Sequence, residues 1–104
     1  MSPQIVLLTV KDAAQGEKIA QAVLTRRLAA CVNIVPGVQS HYWWEGKLQS
    51  GSEQLLFIKT SKEKLGALKV LIAEKHSYEC PEIIAIKPDS VEAGYLGWWR
   101  EQVS

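Results

Sequence analysis

At 104 residues the chain has room for one ordinary domain and not two, and 47% hydrophobic against 22% charged residues is a composition that folds, which excludes intrinsic disorder. Twelve basic and eleven acidic residues leave a net charge of +1, which excludes bulk electrostatic capture of nucleic acid. Met1-Ser2-Pro3-Gln4 leads straight into an apolar run without the pattern of a signal peptide, and no run reaches the ~18–20 apolar residues that span a membrane.

The expected setting is therefore the cytoplasm, with Cys31 and Cys80 as free thiols. A chain of this size buries only roughly 60–70% of its unfolded surface, so self-association would add useful burial.

Ile5-Val6-Leu7-Leu8-Thr9-Val10 is a continuous, β-branched apolar run, the pattern of a strand covered on both faces. Asp12 offers a helix N-cap, and Gln15 three residues later completes a capping box. Ile19, Ala20, Val23, Leu24 and Leu28 then form an apolar stripe, with Lys18, Gln21 and Thr25 turned away. Gly16 lies near the start of this helix, where a glycine costs least.

Cys31 to Val35 reads as the next strand, and Pro36-Gly37 interrupts it with a bend or bulge. The strand resumes from Val38 through Trp44. Glu45-Gly46 suits a two-residue turn, while Gln49 to Ser52 offers a second position for the tip. The partner strand runs from Glu53 to Thr60 and is apolar on both faces. One face can take the helices, and the other needs a cover that the chain does not obviously supply.

Thr60 and Glu63 suggest a second capping box before a helix carrying Leu65, Leu68, Leu71 and Ile72. That helix must end before Pro81. Glu82 to Ile86 is the last strand, and Ser90 caps a short helix bearing Tyr95, Trp98 and Trp99. The order β-α-β-β-α-β plus a terminal helix predicts an α+β, ferredoxin-like (split βαβ) domain over residues 1–104. It has a four-stranded antiparallel sheet with both helices on one face.

That topology serves several functions. The Gln54-to-Lys59 strand lacks the aromatic motif of an RNA-recognition module, and Thr9-Val10-Lys11-Asp12 lacks the paired thiols of a soft-metal chaperone. No phosphate-binding glycine loop occurs. No base–nucleophile pair is evident, and no enzymatic activity is expected.

The densest polar cluster is His76-Ser77-Tyr78-Glu79-Cys80-Pro81-Glu82. Its imidazole, thiol and carboxylates suit copper or zinc, without the paired spacings of a structural metal site. It also reads as a plain helix C-terminus followed by a proline turn. Cys31 reads equally as a small buried core residue, and His41 as a packing partner of the neighbouring aromatics. Trp43 and Trp44 must face opposite ways along a strand. One is expected to pack within the subunit and the other to mark an interface or stack on a ligand. Glu53 and Lys59 share a face about 20 Å apart, at ~3.3 Å per residue, and so could line opposite ends of a cleft.

Leu28-Ala29-Ala30-Cys31-Val32-Asn33-Ile34 with Pro36-Gly37, and Ser40-x-Tyr42-x-Trp44-Glu45-Gly46-Lys47, are specific in order and spacing. So are Glu53, Ile58-Lys59-Thr60, His76-x-Tyr78-Glu79-x-Pro81-Glu82-Ile83-Ile84 and Tyr95-Leu96-x-Trp98. By these the chain resembles the CutA divalent-cation-tolerance family over essentially its whole length. The resemblance implies a PII-like homotrimer, with the hairpin reaching across the interface and with Trp43, Trp44 and Trp98 as interface residues. It implies tolerance or binding of divalent metals, copper especially, with none obligatory.

His76, Cys31 and Glu79 are the metal ligands it suggests. Tyr42, Trp44, Glu53, Lys59 and Glu82 are the cleft residues. Where relatives carry proline, a second histidine and a first-strand thiol, this chain has Ser77, Lys75 and Leu8, which weakens any copper site copied from them. The alternative function is a PII-like sensor that takes a small anion or metabolite at the intersubunit clefts.

Overall fold

The computed structural model describes residues 1–104. Strand β1 (Pro3–Val10) is followed by α1 (Ala13–Thr25), β2 (Cys31–Trp44), β3 (Lys47–Ser61), a 3-10 turn (Lys62–Lys64), α2 (Leu65–Lys75), β4 (Ile84–Ile86) and α3 (Ala93–Val103). The sheet order is β2-β3-β1-β4, with every neighbouring pair antiparallel. This is the split βαβ arrangement expected from the element order.

The core forms where apolar stripes meet. Val6, Leu8 and Val10 of β1 and Leu56 and Ile58 of β3 share one sheet face. They pack against Ile19 and Val23 of α1 and Leu68, Leu71 and Ile72 of α2. Gly16 is buried at this contact, where a Cβ would meet Val10 at 3.4 Å and Leu56 at 3.5 Å, ordinary van der Waals distances.

The β1 run is not covered on both faces, as its continuous hydrophobicity suggested. Ile5, Leu7 and Thr9 are only half-buried, and they pair with Lys59, Phe57 and Leu55 on the same face. Ile84 and Ile86 of β4 and Val35 of β2 complete an open apolar sheet face. The buried stripe of α1 is also narrower than its sequence suggests: Leu24 is exposed and Leu28 lies beyond the helix end.

The caps depart from the sequence pattern. Asp12 accepts from the Gln15 amide at 2.9 Å, as an N-cap should. The Gln15 side chain does not close the box and turns instead to the far end of α2. Thr60 caps nothing; its hydroxyl is buried and donates to the Leu28 carbonyl at 2.6 Å, while Glu63 accepts from the Ser2 amide. α3 is capped by Glu92, whose carboxylate accepts from the Gly94 and Tyr95 amides, and not by Ser90. Its Trp99 is buried and donates to the Thr60 carbonyl at 2.9 Å, which seats the helix on β3.

The long hairpin turns at Glu45-Gly46, both at positive φ (50° and 77°), so Gln49 to Ser52 belongs to the strand. The last strand is shorter than expected and begins at Ile84 rather than Glu82. Val35 pairs with Leu55 but Val38 with Glu53, so Pro36 and Gly37 add one residue to β2 as a bulge. The extra residue reverses the alternation. Before it the odd-numbered residues Cys31, Asn33 and Val35 face the open side; after it the even-numbered residues Val38, Ser40, Tyr42 and Trp44 do. Neither tryptophan of the hairpin enters the subunit core, since Trp43 is 73% and Trp44 43% exposed.

Candidate functional site: an acidic, aromatic cleft

α2 ends at Lys75, where His76 takes an extended backbone conformation, and the chain then crosses the end of the sheet toward β4. The crossing segment, Ser77 to Glu82, faces the even-numbered side chains of the β2 hairpin arm. Between them lies a cleft of about 730 Å³. Ser40, Tyr42 and Trp44 line one wall, with Gln39 and His41 beside them, and Thr9 and Glu53 form the floor. Ser77, Tyr78, Glu79, Cys80 and Glu82 form the other wall.

Four hydrogen bonds fix the crossing segment. The buried Gln15 amide donates to the Lys75 carbonyl at 3.0 Å and accepts from the Ser77 amide at 3.1 Å. His76 Nε2 lies 2.8 Å from the Thr9 carbonyl, tying the segment to β1. The Tyr78 hydroxyl donates to Glu53 Oε2 at 2.7 Å, tying it to β3. Burial, and next the Glu53 carboxylate that accepts this proton, push the Tyr78 phenol well above the usual tyrosine range.

The charge of the cleft is one-sided. Glu53, Glu79 and Glu82 line it, and no lysine or arginine does. Lys59, grouped with the cleft residues from sequence, lies at the opposite end of the sheet, paired in register with Cys31 and Ile5. There its ammonium donates to the Tyr95 hydroxyl at 3.0 Å and sits 5.2 Å from that ring's centre. Trp98 stacks on Tyr95 with ring centres 5.4 Å apart, and is 41% exposed.

The three residues suggested as metal ligands do not converge within the chain. Cys31 sits level with Ile5 and His76 with Thr9, four residues or about 13 Å apart along β1 at ~3.3 Å per residue. Cys31 is half-buried on the open face rather than in the core. Glu79 lies in the cleft, and His76 has both ring nitrogens engaged by protein groups. No group of three or more His, Cys, Asp or Glu side chains is arranged to hold a metal ion. Both cysteines are free, with Cys80 exposed in the cleft wall. His41 lines the same cleft and is exposed, so it does not pack among the aromatics.

Sequence reasoning did not assign Tyr78, Ser40, Ser77 or Thr9 to the cleft. Their only sequence signal was proximity to residues already singled out, because what joins Tyr78 to Glu53 is the crossing of two distant segments. No helix is long and apolar enough to cross a membrane.

Fold and cleft together define a ferredoxin-like α+β protein with one large acidic–aromatic cleft and one open apolar sheet face. The family within that class is set by comparison: the family model described as CutA1 divalent ion tolerance protein matches residues 4–102. The chain belongs to that family. It is 44% identical over 92% of its length to a chloroplastic CutA 1 of Oryza sativa, and spans about half (54%) of that relative. It is 41% identical to the divalent-cation tolerance protein CutA of Thermus thermophilus, covering 94% of this chain and 95% of the relative. The crystal structure of CutA1 from Oryza sativa superposes with a TM-score of 0.96 at 39% identity, covering 100% of this chain and 95% of that one.

Proposed function

We propose that this protein binds divalent cations in the acidic cleft and does so as a homotrimer. The observation that carries the reading is the cleft lining, with three carboxylates and no lysine or arginine. A cation entering it gains from every formal charge it meets, whereas an anion meets only repulsion. Cys80 adds a thiol donor to the wall that carries Glu79 and Glu82, which suits copper or zinc better than carboxylates alone. The donors line a space far wider than one ion, so metal entry must draw them inward or leave water in the coordination shell. The relatives named for divalent-cation tolerance support the same reading.

Self-assembly is proposed from the open sheet face. Leu7, Phe57, Ile84 and Ile86 form a continuous apolar surface that no element of the chain covers. The small-anion alternative needs a cation in the cleft, and the nearest sequence candidate, Lys59, is committed to Tyr95 at the far end of the sheet.

Calorimetric titration of the full chain with Cu²⁺ and Zn²⁺ tests the binding claim, with Glu79→Gln and Glu82→Gln as variants. Saturable binding that weakens in both variants is expected. Absence of binding, or equal affinity in all three proteins, refutes it. Citrate or a nucleotide raising Tm while metals leave it unchanged would favour the anion reading instead.

A further inference from the structure

The hydrogen bonds around His76 determine where its ring proton resides. The Thr9 carbonyl, 2.8 Å from Nε2, can only accept, so Nε2 carries the proton. The Tyr78 amide, 2.9 Å from Nδ1, can only donate, so Nδ1 presents its lone pair. One neutral tautomer satisfies both partners, and no lone pair is left over. A metal on Nδ1 would displace the Tyr78 N–H, and a metal on Nε2 would need that nitrogen stripped of its proton beside a carbonyl oxygen.

The same ring sits at the centre of a continuous chain of contacts. Gln15 straddles it, bonding the carbonyl of the residue before and the amide of the residue after. The His76 amide donates to the Ile72 carbonyl at 2.8 Å, closing α2. The His76 and Tyr78 rings lie with centres 4.7 Å apart, and the Tyr78 hydroxyl then reaches Glu53.

We infer that His76 is a positioning residue and not a metal ligand. Its neutral Nε2–H tautomer clasps Tyr78 by the backbone, and Tyr78 in turn holds the Glu53 carboxylate at the floor of the cleft. The histidine that family resemblance marks as the leading metal candidate thus acts as the fastener of the cleft wall. Cation capture is left to groups whose lone pairs are free, Glu79 and Glu82 in the wall among them.

Two measurements test this on the full-length chain. In a long-range ¹H–¹⁵N spectrum of uniformly labelled protein, His76 should show the signature of a neutral ring protonated at Nε2. That signature should persist when Zn²⁺ is added to several equivalents. An Nδ1–H signature, or a His76 Nδ1 resonance displaced in proportion to added Zn²⁺, overturns the inference. In amide hydrogen exchange, His76→Ala should speed exchange at Tyr78 about tenfold, the scale of one lost hydrogen bond. His76→Asn, which keeps a short side-chain acceptor, should restore part of the protection. Unchanged Tyr78 exchange in both variants overturns the positioning role. Should the alanine variant fail to fold, the wild-type spectrum and the asparagine variant still decide the question. Neither measurement needs metal binding to succeed. A protein that binds no cation would fail the proposed function and leave this inference standing, and a zinc-shifted His76 would do the reverse.

Discussion

The Tyr78 hydroxyl donates to the Glu53 carboxylate across 2.7 Å, joining the segment that leaves α2 to the middle of β3. Twenty-five residues separate the two in sequence. A hydrogen bond to a charged acceptor contributes about 1.5–3 kcal/mol, and partial exposure places this one at the lower end. Tyr78→Phe is therefore expected to lower the urea midpoint by the equivalent of about 1–2 kcal/mol without changing the m-value. An unchanged midpoint would show that water replaces Glu53 at no cost.

The same pair sets the response to alkali. The Tyr78 phenol is raised above its ordinary value of about 10. Below that value both folded and unfolded chains hold the proton, and the contribution to stability is complete. Above it the unfolded chain loses the proton first, so stability falls as pH rises toward the folded-state value. Wild type is expected to lose stability above pH ~10 more steeply than Tyr78→Phe. Absorbance titration near 295 nm should find one of the three tyrosines ionising late.

The Glu92 cap works in the opposite pH direction. Hydrogen bonds from the Gly94 and Tyr95 amides hold its carboxylate below the usual range. Such a group contributes in full above the ordinary carboxylate value of about 4.3 and loses its contribution as pH falls through the lower folded value. Glu92→Gln should lower Tm at neutral pH, with the gap from wild type closing in acid. A constant gap down to pH ~2 would show that the cap does not depend on charge.

Trp99 is the anchor of α3. Its ring is 2% exposed and its indole N–H meets the Thr60 carbonyl. Trp99→Ala should cost about 3–5 kcal/mol in chemical denaturation, the range for a fully buried aromatic. Trp99→Phe should cost less, since it keeps most of the packing and loses the hydrogen bond. Equal losses would mean that the hydrogen bond outweighs the packing.

Phe57 lies at the centre of the open face, paired with Leu7 of β1 and Asn33 of β2. Light scattering should give three times the chain mass for wild type and a lower mass for Phe57→Glu, because a charge buried between subunits is severely penalised. A wild type at the mass of a single chain would refute the proposed trimer.

Much of this was legible locally. Glycine's access to positive φ marked Glu45-Gly46 as one of two candidate tips, and proline's missing donor marked the Pro36-Gly37 interruption. Capping was legible only as a tendency. Gln15 had the right spacing for a capping box, yet its amide reaches Lys75 and Ser77, sixty and sixty-two residues away. Spacing cannot reveal a competing partner that the fold brings near. The β1 run misled for a similar reason, because hydrophobicity records that a face will be covered but not whether the cover lies in the same chain.

By itself the sequence determined the element order, the split βαβ topology, the family, and that Trp43 and Trp44 point in opposite directions. Those depend on backbone geometry and periodicity, which are local. Only the tertiary structure decided which tryptophan faces the cleft, because the one-residue bulge at Pro36-Gly37 reverses the alternation before the chain reaches them. It also separated Cys31 from His76, sent Lys59 to Tyr95, and committed both nitrogens of His76 to the backbone. These are contacts between segments distant in sequence, and they become fixed only when sheet register and helix packing are satisfied together.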